Sequence, residues 1–175
     1  MRATFVAILV VCVGCTVGEV TNEKHATATL AAKSSSTVTG SVTFTQSGAT
    51  VMMKLSVTGA SAGMHGVHLH ATGDCTADDA SSAKGHWDPA MTMMHGLPTA
   101  AVHHLGDCGN FDVGADGTGS LSFSNAWTIG TGEANDIVGK AVIVHAAVDD
   151  GTSPAPPATP GNSGARQACG VITVL

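Results

Sequence analysis

From residue 25 onward, hydrophobic and polar residues alternate in short runs: HATATLAA (25–32), SVTFTQS (41–47) and TVMMKLSVT (50–58). In SVTFT, Val42 and Phe44 project to one side and the threonines to the other, the two-residue period of a half-buried strand. Turn signals at SSS (34–36), SGA (47–49) and TGASAG (58–63) separate the runs and predict an antiparallel meander. A fourth run is MHGVHLHA (64–71), and GNFDV (109–113), GSLSF (119–123), KAVIVHA (140–146) and CGVITVL (169–175) follow. Eight short strands without a convincing amphipathic helix predict an all-β fold, an eight-stranded Greek-key sandwich or flattened barrel.

Two long connections interrupt this rhythm. One, Ala71–His104, holds four of the nine histidines; the other, Gly151–Ala165 (GTSPAPPATPGNSGA), has four of the six prolines and no charge. Connections of this length in a compact domain are usually functional or disordered. No internal repeat or second domain is visible, so the body of the chain reads as one domain over 25–175.

The first fourteen residues, MRATFVAILVVCVG, carry one Arg and an apolar run too short to span a bilayer, which fits a secretory signal. VCVGC resembles the cleavage-and-lipidation box of bacterial lipoproteins, with Cys12 where Leu is usual. The reading is a lipid anchor on Cys15, against ordinary cleavage a few residues further on. Residues 15–24 then form a polar tether, and the mature protein is exported, periplasmic or extracellular. Cys75, Cys108 and Cys169 remain in an oxidising compartment, where a pair and an odd thiol are expected in any of three pairings. The net charge of −6 and the lack of a basic stripe give no support to nucleic-acid binding.

Seven of the nine histidines fall between His65 and His104. Histidine is the commonest metal-binding side chain. On a strand, His68 and His70 project from one face as a chelating pair. With GVHLHATGD (66–74) stand GHWDP (85–89), HGLPTAAVHHLGD (95–107) and GNSGARQACGVI (161–172). These four motifs, in this order, resemble the copper/zinc superoxide dismutase family, across roughly Gly40 to Leu175, in a form similar to bacterial exported members.

The resemblance implies copper on His68, His70, His86 and His145, four imidazoles that suit the tetragonal nitrogen ligation favoured by Cu(II). It implies zinc on His86, His95, His104 and Asp107, a closed tetrahedral set, with His86 bridging the two metals. The H-L-G-D register favours His104 over His103. His65 matches a position that packs behind the copper, and Asp149 one whose carboxylate bonds the free nitrogens of His68 and His95; Asp150 is read as a bystander and His25 as solvated. Cys75 and Cys169 match the family disulfide, leaving Cys108 buried and inert. The implied activity is disproportionation of superoxide to dioxygen and hydrogen peroxide, with His86 supplying a proton and Arg166 holding the anion.

Three departures stand out. Four residues separate His70 from Cys75, as in exported bacterial members, whose dimerisation varies; a homodimer is therefore one implied assembly. The loop that usually carries steering charges, 151–165, has none. Pro160 stands at the channel rim where Thr is common. The alternative is a non-enzymatic copper-binding or carrier protein on the same fold; related members of that kind lose zinc ligands or the arginine, and this chain retains both.

Overall fold

The computed structural model describes residues 23–152 and 160–175. The signal segment 1–14, Cys15 with most of the tether, and residues 153–159 lie outside the described residues. Among the described residues nine strands run in chain order: β1 (Lys24–Ala32), β2 (Thr39–Ser47), β3 (Thr50–Thr58), β4 (Gly63–His70), β5 (Asp107–Val113), β6 (Gly119–Asn125), β7 (Ala141–His145), β8 (Arg166–Val171) and β9 (Thr173–Val174). All pairings between these strands are antiparallel, in the spatial order β2-β3-β6-β5-β4-β7-β8-β1, and a β1–β2 pairing closes the ring. The result is an eight-stranded Greek-key barrel. The short β9 continues the last run beyond Ile172 and pairs with β1.

The alternation read from the sequence is the packing of this barrel. Along β3 every second residue is buried, so Val51, Met53, Leu55 and Val57 enter the core and the threonines, Met52, Lys54 and Ser56 face out. Val42 and Phe44 enter from β2, and Ala26, Ala28 and Leu30 from β1. Phe44 meets Trp127 edge-on, with ring centroids 6.3 Å apart. Burying a side chain of this size stabilises the fold by roughly 1.5–3 kcal/mol. Ser47 pairs with Thr50 across a two-residue hairpin, and Gly48 takes the positive φ (60°) that the first turn position requires.

Strands β4 and β7 depart from simple alternation because both of their faces are covered. The last six residues of β4 and all five of β7 are buried. Val67, Leu69, Val142 and Val144 belong to the barrel core. On the outer face, Ala141 and Ile143 pack with Ala80, Ala83 and Cys169 in a second small cluster under the 71–106 connection. His68, His70 and His145 share that outer face, so the long connections roof it over and enclose the imidazoles.

Several details differ from the sequence reading. The final run is broken at Ile172. β5 starts at Asp107 rather than Gly109, and β1 at Lys24 rather than His25. A third long connection, 126–140, also joins β6 to β7. Its apolar residues Trp127, Ile129 and Ile137 are buried in the core, while the Asp136 carboxylate accepts from the backbone N–H groups of Gly130, Thr131, Gly132 and Val138 at 2.7–3.0 Å.

Candidate metal centre

The first histidines are placed by strand geometry. His68 and His70 stand two residues apart on β4, and His145 ends β7 beside them. His86 reaches the same place through the 71–106 connection. Trp87, buried in the core, is fastened to β4 by Trp87 N–H to the Leu69 carbonyl, and to the end of the connection by Gly106 N–H to the Trp87 carbonyl. That anchoring lays His86 against His70 as an isolated bridge and against His68 with ring centroids 4.1 Å apart. Gly106 is obligatory here, since a Cβ on it would lie 2.3 Å from the Leu69 carbonyl oxygen.

Each ring on the first group is held by one nitrogen and leaves the other free. His68 Nε2 lies 2.8 Å from Asp149 Oδ2, His70 Nδ1 lies 2.8 Å from the Lys84 carbonyl, and His145 Nδ1 lies 3.2 Å from the Gly164 carbonyl. The buried atoms His68 Nδ1, His70 Nε2 and His145 Nε2 have no hydrogen-bond partner. A buried nitrogen without a partner is costly in a protein interior. With His86, these residues offer donor atoms all within 4.8 Å of one another. Three orphaned imidazole nitrogens turned toward a fourth ring fit a nitrogen-liganded transition metal.

The second group gathers on one carboxylate. Asp107, fully buried at the start of β5, has His86 Nδ1 at 2.8 Å, His95 Nδ1 at 3.0 Å and His104 Nδ1 at 3.3 Å. Its Oδ2 also accepts from the backbone N–H of His104. His86, His95, His104 and Asp107 again bring one donor atom each within 4.8 Å. Three imidazoles around a carboxylate in a closed pocket form a donor set suited to zinc.

Asp149 joins the two groups. Besides His68, its Oδ1 lies 2.8 Å from His95 Nε2, and Gly151 N–H donates to the same oxygen. Asn110 clamps the Asp149 backbone from both sides, its Nδ2 donating to the carbonyl and its Oδ1 accepting from the N–H. Gly161, at φ 71°, crosses over this junction; a Cβ there would lie 2.3 Å from Asp149 Oδ1 and 2.7 Å from His95 Nε2.

The electrostatics of the two groups differ. Burial, helped by mutual repulsion among the imidazoles, pushes His70 and His145 well below the usual histidine range. Burial also takes His86 down to about 4 despite its Asp107 partner. These rings are neutral at pH 7, the form in which imidazole binds metal. Burial opposes ionisation of Asp107 and Asp149, but hydrogen bonds from the histidines outweigh it and hold both carboxyls below the ordinary carboxylate range. His95 is raised to about 9, because its bonds to Asp107 and Asp149 overcome a desolvation that acts the other way.

Other residues singled out in the sequence fall as follows. His103 stands outside both groups, with Nδ1 2.8 Å from the His104 carbonyl. His65 is buried behind His145, its ring nitrogens 2.8 Å from the carbonyl oxygens of His145 and Ser61. Asp150 caps Thr152 and Asn162 away from both groups. His25 lies on the barrel surface beside Glu23. Cys75 and Cys169 are disulfide-bonded, and Cys108 is buried and free, its thiol pushed up by burial. Arg166 opens β8, and its Nη1 donates to the Ala80 carbonyl at 2.7 Å. The carbonyls of Ala80, Lys84 and Gly164, and the Asn110 clamp, went unpredicted.

The family model for copper/zinc superoxide dismutase (SODC) matches residues 38–172. The chain is 39% identical over 139 residues to an extracellular superoxide dismutase [Cu-Zn] of Haemonchus contortus, covering 78% of this chain and 74% of that protein. It is likewise 39% identical over 136 residues to an extracellular superoxide dismutase [Cu-Zn] of Caenorhabditis elegans, covering 76% of this chain and 60% of that one. Among solved structures, the clock protein EA4 superposes with a TM-score of 0.75 at 31% identity, covering 86% of this chain and 94% of that one.

Proposed function

We propose, from the premise that this chain belongs to the copper/zinc superoxide dismutase family, how its residues share the work of disproportionating superoxide. The cofactors are copper and zinc. Copper is assigned to His68, His70, His86 and His145, and zinc to His86, His95, His104 and Asp107. Three buried ring nitrogens lacking partners beside His86 are the observation that carries the copper assignment. When bound, copper supplies the two oxidation states through which one superoxide gives up an electron and a second receives it, so that two superoxide ions and two protons become dioxygen and hydrogen peroxide.

The remaining roles belong to the protein. His86 Nδ1 is turned to Asp107, which leaves Nε2 to the copper group and makes Nε2 the atom that presents a proton to the second superoxide. Asp107 and Asp149 fix the rings of His68, His86 and His95, so little reorganisation accompanies turnover. Arg166, steadied by the Ala80 carbonyl, directs its remaining N–H donors at the anion.

The chain is read as exported. The finer readings are a bacterial-type protein, a periplasmic or cell-surface location with a lipid on Cys15, and assembly as a homodimer. They rest on VCVGC and on the short His70–Cys75 spacing, and the two nematode relatives, named as extracellular, add support to export alone. Mass measurement of the mature N-terminus and sedimentation test them.

The central experiment joins metal analysis to superoxide decay on the purified mature chain. Wild type should carry both metals and consume superoxide. His86→Ala should lose most activity and disturb both sites, and His103→Ala should be nearly silent. Full metal loading without superoxide decay would identify a copper carrier instead.

A further inference from the structure

Three of the seven methionines lie within four residues, Met91, Met93 and Met94, in the connection between His86 and His95. They are 79%, 81% and 49% exposed, whereas Met53 is wholly buried in the core. Hydrophobic packing therefore does not account for them. Their backbone is held in place all the same. Asp88 Oδ2 accepts from the Met93 N–H at 3.0 Å and from Thr92 Oγ1 at 3.1 Å, and Met91 N–H donates to the Asp88 carbonyl at 3.1 Å. Met91 and Met93 both adopt left-handed backbone, with φ of 52° and 58°, a conformation strained for any residue with a side chain. A tethered, strained turn thus presents three thioethers to solvent.

Thioether sulfur is a soft donor that selects Cu(I) over the harder cations. An imidazole also stands beside Gly96, two residues beyond Met94. Met94 leads through His95 to Gly96, and a Cβ on Gly96 would lie 3.3 Å from the Cβ of His103. His103 belongs to neither metal group, and its Nδ1 is engaged by the His104 carbonyl, which leaves Nε2 as the donor atom. Soft sulfur, an uncommitted imidazole and an exposed position between two metal-group histidines occur together here.

We propose that Met91, Met93 and Met94, with His103 beside them, form a surface Cu(I) site that captures copper and passes it to the His68, His70, His86 and His145 group. The inference rests on the reading of that group as the copper site. Copper enters and leaves the thioethers as Cu(I), by ligand exchange, so no electron moves and no bond of the protein is broken. The site differs from the buried group in valence preference, sulfur suiting Cu(I) and the four imidazoles suiting Cu(II) as well.

The test uses holoenzyme with both metals already bound, titrated anaerobically with Cu(I) buffered by bicinchoninate. Wild type should take up a further Cu(I), with sulfur neighbours in its X-ray absorption spectrum. The Met91→Leu/Met93→Leu/Met94→Leu variant should take up none while keeping its dismutase activity and melting temperature. A zinc-only form of that variant, offered limiting Cu(I), should fill the histidine group several-fold more slowly than wild type. The proposal is overturned if wild-type holoenzyme binds no further Cu(I), if the bound Cu(I) has no sulfur neighbours, or if the variant loads at the wild-type rate. Met93→Leu alone, which changes one exposed side chain, gives the same comparison should the triple variant fold poorly. Activity and histidine-bound copper measured on the same samples separate failure of this site from failure of the dismutase reading.

Discussion

His70 Nδ1 lies 2.8 Å from the carbonyl oxygen of Lys84, and Lys84 aims that carbonyl with its backbone at φ 67°, ψ −152°, a region favourable to glycine alone. The ring is oriented, with Nε2 left free, by a strained peptide whose side chain takes no part. Strain of this kind costs about 1–3 kcal/mol, and the extra freedom glycine has in the unfolded chain offsets about 0.5–1 kcal/mol of any relief. Lys84→Gly should therefore stabilise the metal-loaded protein by about 1 kcal/mol, a rise of roughly 2–4 °C in melting temperature. Lys84→Ala, which keeps the strain, should show no such rise. Equal melting temperatures for the two variants would locate the strain elsewhere.

The same pair shows what was legible beforehand. His70 announces itself because imidazole is chemically distinctive and H-x-H on a strand puts two rings on one face. β3 was equally plain, because TVMMKLSVT has one face in the core and one in water. The Lys84, Ala80 and Gly164 carbonyls were invisible, since every residue has a carbonyl and only the folded path of the connection decides where it points. The 126–140 connection was passed over for a related reason. Its order comes from Trp127, Ile129 and Ile137 reaching a distant core, and from one aspartate collecting backbone donors, neither of which leaves a periodic trace.

The Cys75–Cys169 disulfide spans 94 positions and pins the small cluster of Ala80, Ala83, Ala141 and Ile143. A loop of that length implies a chain-entropy stabilisation of about 4–5 kcal/mol. Cys75→Ser should lower the unfolding free energy by about that amount. It should also reduce activity in the folded population, because Ala80 is where Arg166 is anchored. Denaturant unfolding and superoxide decay on one preparation check both. In the oxidised wild type Cys108 should resist iodoacetamide until the protein unfolds, and rapid labelling of the folded protein would contradict its burial.

Asp136 offers a pH test away from the metals. Burial alone would raise its carboxyl, but four backbone N–H donors hold it below the ordinary carboxylate range. A depressed folded value means that its contribution is complete above the unfolded value of about 3.9 and fades as pH falls through the lower folded value. Asp136→Asn should cost roughly 1 kcal/mol at neutral pH, since the amide puts donors opposite donors. The gap between wild type and variant should close as the pH drops below about 4. A gap independent of pH would mean that the side chain's shape matters and its charge does not.

The last prediction concerns how superoxide reaches Arg166. A channel lined with positive charge can raise the arrival rate of an anion by about tenfold or more, an advantage that salt removes. Here the 151–165 segment has no charge, and the cations on neighbouring elements each have an acidic or aromatic neighbour. Arg166 has Asp79 as its charged neighbour, the Lys84 charge acts on Asp74, and Lys140 lies over the Trp87 ring with its Nζ 5.5 Å from the centroid. Few cations are thus left to draw an anion toward the site. We expect the rate to change by less than about twofold between low and physiological ionic strength, where the screening length shrinks to about 8 Å. Asp79→Asn, by freeing the field of Arg166, should raise the low-salt rate and introduce a fall with added salt. Lys at Ser153 or Thr159, which lie outside the described residues, should act in the same direction. A steep fall of the wild-type rate with salt would show that steering survives, and Lys84→Gln would then reveal whether that residue supplies it.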